Sequence, residues 1–271
     1  MSDIISGILD VKCCLTLLSS TPLLKELCLD YAIDPDLSQK VYPGVIVDLP
    51  HLKVAVLKGA GPELTSLWSH IAAPPSTSLR LDVSTYGDTT PNAFFNALCT
   101  HACASGNDML VIERCDVDGS VTFSIHPSPR QTADQPWDSP CPPILALKLP
   151  YYADSTCPLS VPAILHQLGR IIGLCIHTFI VACDLGRQKS LDDALRAFTA
   201  VLTVFASPRN LTLFNVLHRA DFVFPALSTV VLSGEVREPA FLVLGARAIA
   251  GRPVQRIILR GASDGGWDGN L

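Results

Sequence analysis

Short runs of alternating apolar and polar residues recur along this chain, separated by stretches whose apolar positions fall at helical spacing. The clearest run, residues 22–29, has the form L-x-x-L-x-L. In such a run alternate side chains of a short strand point inward and the first leucine packs beneath the turn. Residues 49–57 place Leu52, Ala55 and Leu57 at the same three positions, followed by a turn at Gly59-Ala60-Gly61. Residues 78–83 alternate as a third copy. Further candidates are 109–113, 144–149, 174–179, 201–205, 227–232 and 254–259. Strand centres fall roughly 25 to 35 residues apart, and the last four intervals cluster near 27, the upper end of the leucine-rich-repeat range.

The segments between these runs read as helices. Residues 62–73 carry Leu64, Leu67, Trp68 and Ile71 on one stripe, with Pro62 and Glu63 suited to a first turn and Pro74-Pro75 as the stop. Residues 91–104 align Phe94, Phe95, Leu98 and Ala102. Ser190 precedes Asp192 and Asp193 as an N-cap with carboxylates near the positive dipole end. Residues 239–250 end at Gly251, a natural C′ residue. Residues 109–113 and 121–125 flank Asp116-Val117-Asp118-Gly119, which predicts a hairpin, and 127–143 reads as an exposed loop. The expected fold is therefore an α/β leucine-rich-repeat solenoid, with parallel strands on the concave face and helices on the convex face. It spans residues 1–260 as one domain, with an inserted hairpin and loop at about 114–143, and residues 261–271 form a flexible C-terminal tail.

Composition narrows the function classes. With 48% hydrophobic and 17% charged residues, the 271-residue chain can bury a large core. A net charge of −5, with lysines and arginines scattered singly, argues against a phosphate-tracking surface, so no nucleic-acid partner is expected. The apolar run 171–183 is interrupted by His177 and falls short of the about twenty residues that cross a bilayer, so no membrane partner is expected. Ten cysteines occur without a single Cys-x-x-Cys, and they read as buried free thiols. The first ten residues lack a basic n-region, which places the chain inside the cell, in cytoplasm or nucleus, and leaves the sequon Asn210-Leu211-Thr212 idle.

Four stretches carry a resemblance to a known group: residues 17–27, 71–79, 224–227 and 246–254. There the chain resembles the leucine-rich-repeat region of the F-box-like proteins of mushroom-forming fungi. The resemblance implies a repeat domain that holds a substrate protein for an SCF-type ubiquitin ligase. Such proteins carry an F-box that docks on the Skp1 adaptor. Residues 4–18 form one apolar helix-like stretch, too short for an F-box and lacking its leucine-proline start, so no Skp1-binding residue is carried over. The alternative is a stand-alone leucine-rich-repeat binding protein with no ubiquitin role.

Familiar catalytic signatures are missing: there is no Walker A and no H-E-x-x-H. Gly59-Ala60-Gly61 ahead of a helix lacks the following lysine of a phosphate cradle and reads as a repeat turn. Asp108, Glu113, Asp116 and Asp118 fit no Ca²⁺ loop and read as a solvated hairpin edge. No enzyme activity, metal or cofactor is expected. Binding is what the fold favours, because a solenoid presents an extended sheet to a protein partner. With Leu27 and Leu29 pointing inward, alternation assigns Cys28, Asp30, Val56, Lys58, Arg80, Asp82, Glu113, Lys148, His177 and Arg260 to the concave face. Their mixed signs predict polar recognition with modest selectivity from charge.

Overall fold

The computed structural model describes residues 10–31, 33, 45–85, 95, 98, 106–115, 119–127, 143–150, 160–183, 190–206, 210–218, 223–233 and 238–260. It is a mixed α/β structure built on a ten-stranded, mostly parallel sheet. In chain order the elements begin with α1 (Val11–Ser19), β1 (Glu26–Asp30), β2 (Val47–Asp48), β3 (Val54–Ala60), α2 (Gly61–Trp68), β4 (Ile71–Ala72) and β5 (Ser78–Thr85). Next come β6 (Asn107–Arg114), β7 (Val121–Pro127), β8 (Leu145–Leu149), α3 (Val161–Ile172) and β9 (Thr178–Val181). The last are α4 (Leu191–Leu195), β10 (Thr203–Ala206), α5 (Leu211–His218), β11 (Thr229–Ser233), α6 (Glu238–Ile249) and β12 (Arg256–Arg260). The large sheet runs β1-β3-β5-β8-β7-β6-β9-β10-β11-β12, and β2 pairs with β4 in a separate two-stranded sheet.

The alternating runs become strands, but their first apolar residue stays outside the ladder. Leu24, Leu52, Val201 and Leu227 each donate their N–H to the carbonyl three residues back, on Thr21, Leu49, Phe198 and Phe224. That turn puts the side chain under the strand, and so β10 and β11 begin two residues later than the alternation suggests. The next strand joins through a recurring pair of bonds. The Lys25 carbonyl accepts from Lys53 and Val54, His177 from Leu202 and Thr203, Leu202 from Ser228 and Thr229, and Ser228 from Gln255 and Arg256. Side chains repeat the link: Thr77, fully buried, donates its hydroxyl to the Leu52 carbonyl at 2.7 Å, and Ser228 donates to Leu202 at 3.2 Å.

One face of the sheet is covered by helices. Leu27, Leu29, Ala55, Leu57, Leu79, Leu81, Phe179 and Val204 share a single apolar cluster with Leu64 of α2, Leu165 of α3, Leu195 of α4 and Leu213 of α5. At its centre Phe179 meets Phe198 edge-on at 5.4 Å and Phe224 at 5.1 Å. Helix α3 approaches the turn that follows α4 closely enough that a Cβ on Gly169 would lie 2.5 Å from the Ala197 Cβ. Helix α6 ends in a Schellman motif: Gly251, at φ 72°, donates to Ala248, and Arg252 donates to Arg247. From α6, buried Arg247 reaches back to the Val223 and Phe224 carbonyls at 3.1 and 3.0 Å.

Several expectations change here. The helix expected over 62–73 stops at Trp68, because Ile71 and Ala72 pair in parallel with Val47 and Asp48. A sheet bond outweighs the helical stripe there. The strand expected over 174–179 is instead Thr178–Val181, since α3 occupies the chain to Ile172 and Leu174 is exposed. The hairpin β6–β7 forms as expected but is not an appendage. Strand β7 runs antiparallel between β6 and β8, and the outer strands β8 and β6 pair in parallel with β5 and β9. Within the helix expected over 91–104, Phe95 and Leu98 are helical and buried, and its other residues lie outside the described set. The 261–271 tail, most of the 127–143 loop, Asp116 and Asp118 also lie outside it.

Candidate functional site

The face of the sheet turned away from the helices holds most of the expected binding residues. Tracing registers from strand to strand gives one continuous row across all ten strands. It runs Cys28, Val56, Arg80, Ala146, Ser124, Val111, Ile180, Phe205, Val231, Ile258. The neighbouring row begins Asp30, Lys58, Asp82, Lys148, Thr122, Glu113. Parallel strands with period-two alternation produce such rows automatically, because residues in register point the same way.

In the second row the signs alternate along β1, β3, β5 and β8. The Lys58 Nζ donates to Asp30 Oδ2 at 3.0 Å, and Lys148 lies 3.9 Å from Asp82. The hydrogen bond to Asp30 raises the Lys58 pKa, and the negative charges of Asp30 and Asp82 add to it. All four side chains are at least a third exposed, so water screens these attractions and each pair contributes under about 1 kcal/mol. Glu113 ends the row differently. It is half-buried, and desolvation pushes its carboxyl pKa up.

Beyond β8 the same face changes character. Ser124 and His126 of β7 are buried and hydrogen-bonded to each other at 2.9 Å. Met109, Val111 and Ile180 are 1–6% exposed and form a second apolar cluster, with Phe205 packed against it. Thr178, Thr203 and Thr229 stand in one row beside them. The charged, accessible part of this face is therefore the stretch from β1 to β8, and exposure returns at Arg256 on the far edge.

Of the ten expected residues, Cys28, Val56 and Arg80 share the first row and Asp30, Lys58, Asp82, Lys148 and Glu113 the second. Arg260 is in register with Ser233 at the far edge. His177 is misplaced by the alternation: it lies before β9, at the strand's N-terminal rim, 3.6 Å from the Asp108 carboxylate through Nδ1. Its position shares the parity of Phe179, which is a core residue. Glu26, exposed at the start of β1, joins the face without having been expected there, although it stands two residues before Cys28 on the same side. Met109, Val111, Ile180 and Val231 escape the sequence pattern too, because a search for polar side chains ignores an apolar row.

Among the described residues no group of three His, Cys, Asp or Glu side chains is placed to hold a metal. The thiols are more varied than expected: Cys14 is buried and its pKa is pushed up to about 11 by desolvation, whereas Cys13, Cys28 and Cys175 are exposed. Asn210 is 1% exposed, accepting from the Leu213 N–H at 3.0 Å and donating to the Cys183 carbonyl at 2.7 Å. It caps α5 and ties it to the segment just after β9, so the sequon's amide is engaged inside the fold. No family model, characterised protein or solved structure matches this chain. No helix among the described residues is long and apolar enough to cross a membrane.

Proposed function

We propose that the chain is a protein-recognition scaffold that binds its partner through the β1–β8 part of the sheet face turned from the helices. The observation that carries this reading is the exposed row Asp30, Lys58, Asp82, Lys148, alternating in sign over four adjacent strands. Such a ladder adds little to folding and fixes the register of a charged partner surface, which steers encounter and rejects wrong partners. The strand–turn–helix order and the links 25 to 28 residues apart support a leucine-rich-repeat solenoid, in which this would be the concave face. Proximity labelling in cells tests the site. The double reversal Lys58→Glu with Lys148→Glu is expected to lose the partner, while Arg170→Glu, on helix α3, keeps it. Equal labelling by all three proteins would remove the proposed site.

The resemblance to fungal F-box-like proteins supports a narrower form of the reading, in which the bound partner is a ubiquitin-ligase substrate. Co-purification decides between this and a stand-alone scaffold. The ligase form expects Skp1 and a cullin to accompany the full-length gene product, and their absence leaves the scaffold alone.

A further inference from the structure

The two edge strands of the large sheet, β1 and β12, are complementary in charge. β1 reads Glu26-Leu27-Cys28-Leu29-Asp30 and β12 reads Arg256-Ile257-Ile258-Leu259-Arg260. They are also in the same phase. Cys28 and Ile258 are the two ends of the ten-residue row across the sheet, and the flanking leucines and isoleucines point to the helix side. Among the described residues no strand pairs with the outer edge of either.

Apolar exposure recurs at the same two ends, besides Leu174 and Leu202 next to β9 and β10. Ile257 and Leu259 are 47% and 61% exposed, whereas Val230 and Leu232, their register partners one strand inward, are buried. Leu242 and Ile249 of α6, the helix that leads into β12, are exposed, and so are Leu17 of α1 and Leu23, which precede β1. An open edge with half-covered apolar side chains is a template for strand addition.

We propose that copies of this chain associate head to tail, the β12 edge of one pairing in parallel with the β1 edge of the next. The register sets Glu26 beside Arg256, Leu27 beside Ile257, Cys28 beside Ile258, Leu29 beside Leu259, and Asp30 beside Arg260. This continues the parallel ladder found at most steps of the sheet. Charge selects this arrangement over a two-fold dimer. An antiparallel β12–β12 pair centred on Ile258 sets Arg256 against Arg260, and a β1–β1 pair centred on Cys28 sets Glu26 against Asp30. Like charges directly opposite are destabilising in both. A head-to-tail contact leaves one edge of each type unused, so the assembly is open-ended.

Sedimentation velocity of the 271-residue chain across a concentration series, with reductant present, tests this. The mass should rise with concentration past the dimer and fall with added salt. Glu26→Arg and Arg256→Glu should each weaken association at least tenfold, because each sets like charges together. An equimolar mixture of the two should restore it, since both contacts between unlike copies again join opposite signs. Both positions are exposed, and unchanged circular dichroism checks the fold. As a second readout, Ile258→Cys with a short bismaleimide should give a covalent ladder through Cys28 of the neighbouring copy. A monomer mass at every concentration overturns the proposal, as does association that ignores the reversals or is not restored by mixing.

Discussion

Between β1 and β8 the face turned from the helices carries Asp30, Lys58, Asp82 and Lys148 within reach of solvent. Between β6 and β11 the same face carries Met109, Val111, Ile180 and Val231, all buried. Both halves follow the same alternation, and both sit on parallel strands with matched registers. They differ in what a side chain there is worth. An exposed ion pair exchanges water contacts for protein contacts of similar strength, so its loss hardly changes folding. A buried aliphatic side chain holds transfer free energy and packing that nothing replaces when it is removed. Substitutions in the first half therefore report on binding, and substitutions in the second report on stability.

The largest effect expected is from Val111→Asp, which places a carboxylate between Met109 and Ile180. It should cost about 3 kcal/mol or more, read as a fall in the urea midpoint at unchanged slope. A midpoint near that of the unaltered protein would mean that this half is not packed. Next, Ile180→Ala leaves a cavity in the same cluster and should cost about 2–4 kcal/mol. Lys58→Ala in the charged half should cost under about 1 kcal/mol, with the difference shrinking as salt is added. A loss as large as that of Ile180→Ala would erase the contrast between the halves.

The smallest effect is on pH dependence. Burial raises the Glu113 pKa in the folded protein above its unfolded value. The folded state then keeps a proton that the unfolded chain has released. The stability linked to that proton is fully present below the unfolded pKa and is lost as pH rises through the folded pKa. Glu113→Gln removes this loss, so the variant should melt slightly above the parent at neutral pH and level with it in acid. Melting scans between about pH 4 and pH 8 check the sign. A parent that gains on the variant as pH rises would contradict it.

Alternation alone makes the orientation of most strand side chains legible in the sequence. Leu27 and Leu29 point inward and Cys28 and Asp30 outward because a strand has no other option. The accessible half of the face was not legible, because Val111, Ile180 and Phe205 meet only through registers among β6, β9 and β10. Turn geometry was only half legible. Gly251 announced the end of α6, but nothing local showed that Ile71 and Ala72 would leave a helical stripe to pair with Val47 and Asp48. His177 failed for a related reason: α3 takes the chain to Ile172 and delays the strand, which turns the expected parity over. The hairpin of β6 and β7 was visible in the sequence. Its incorporation was not, since β8 returns to β5 across a long stretch of chain.

That return sets a timetable for folding. Parallel neighbours elsewhere are joined by links 25 to 28 residues apart, but Ser78 reaches Pro143 across 65 residues and Cys183 reaches Ile112 across 71. Closing the longer loops costs about 0.8 kcal/mol more chain entropy each, and the antiparallel strand β7 lies between the two strands, β8 and β6, that they bring in. We expect the two arms, β1 to β5 and β9 to β12, to gain protection from hydrogen exchange first, and the amides of β6, β7 and β8 last. Pulsed exchange during refolding would show two independent starts joined by one late seam. Simultaneous protection across all ten strands would mean that the middle of the sheet nucleates with its ends.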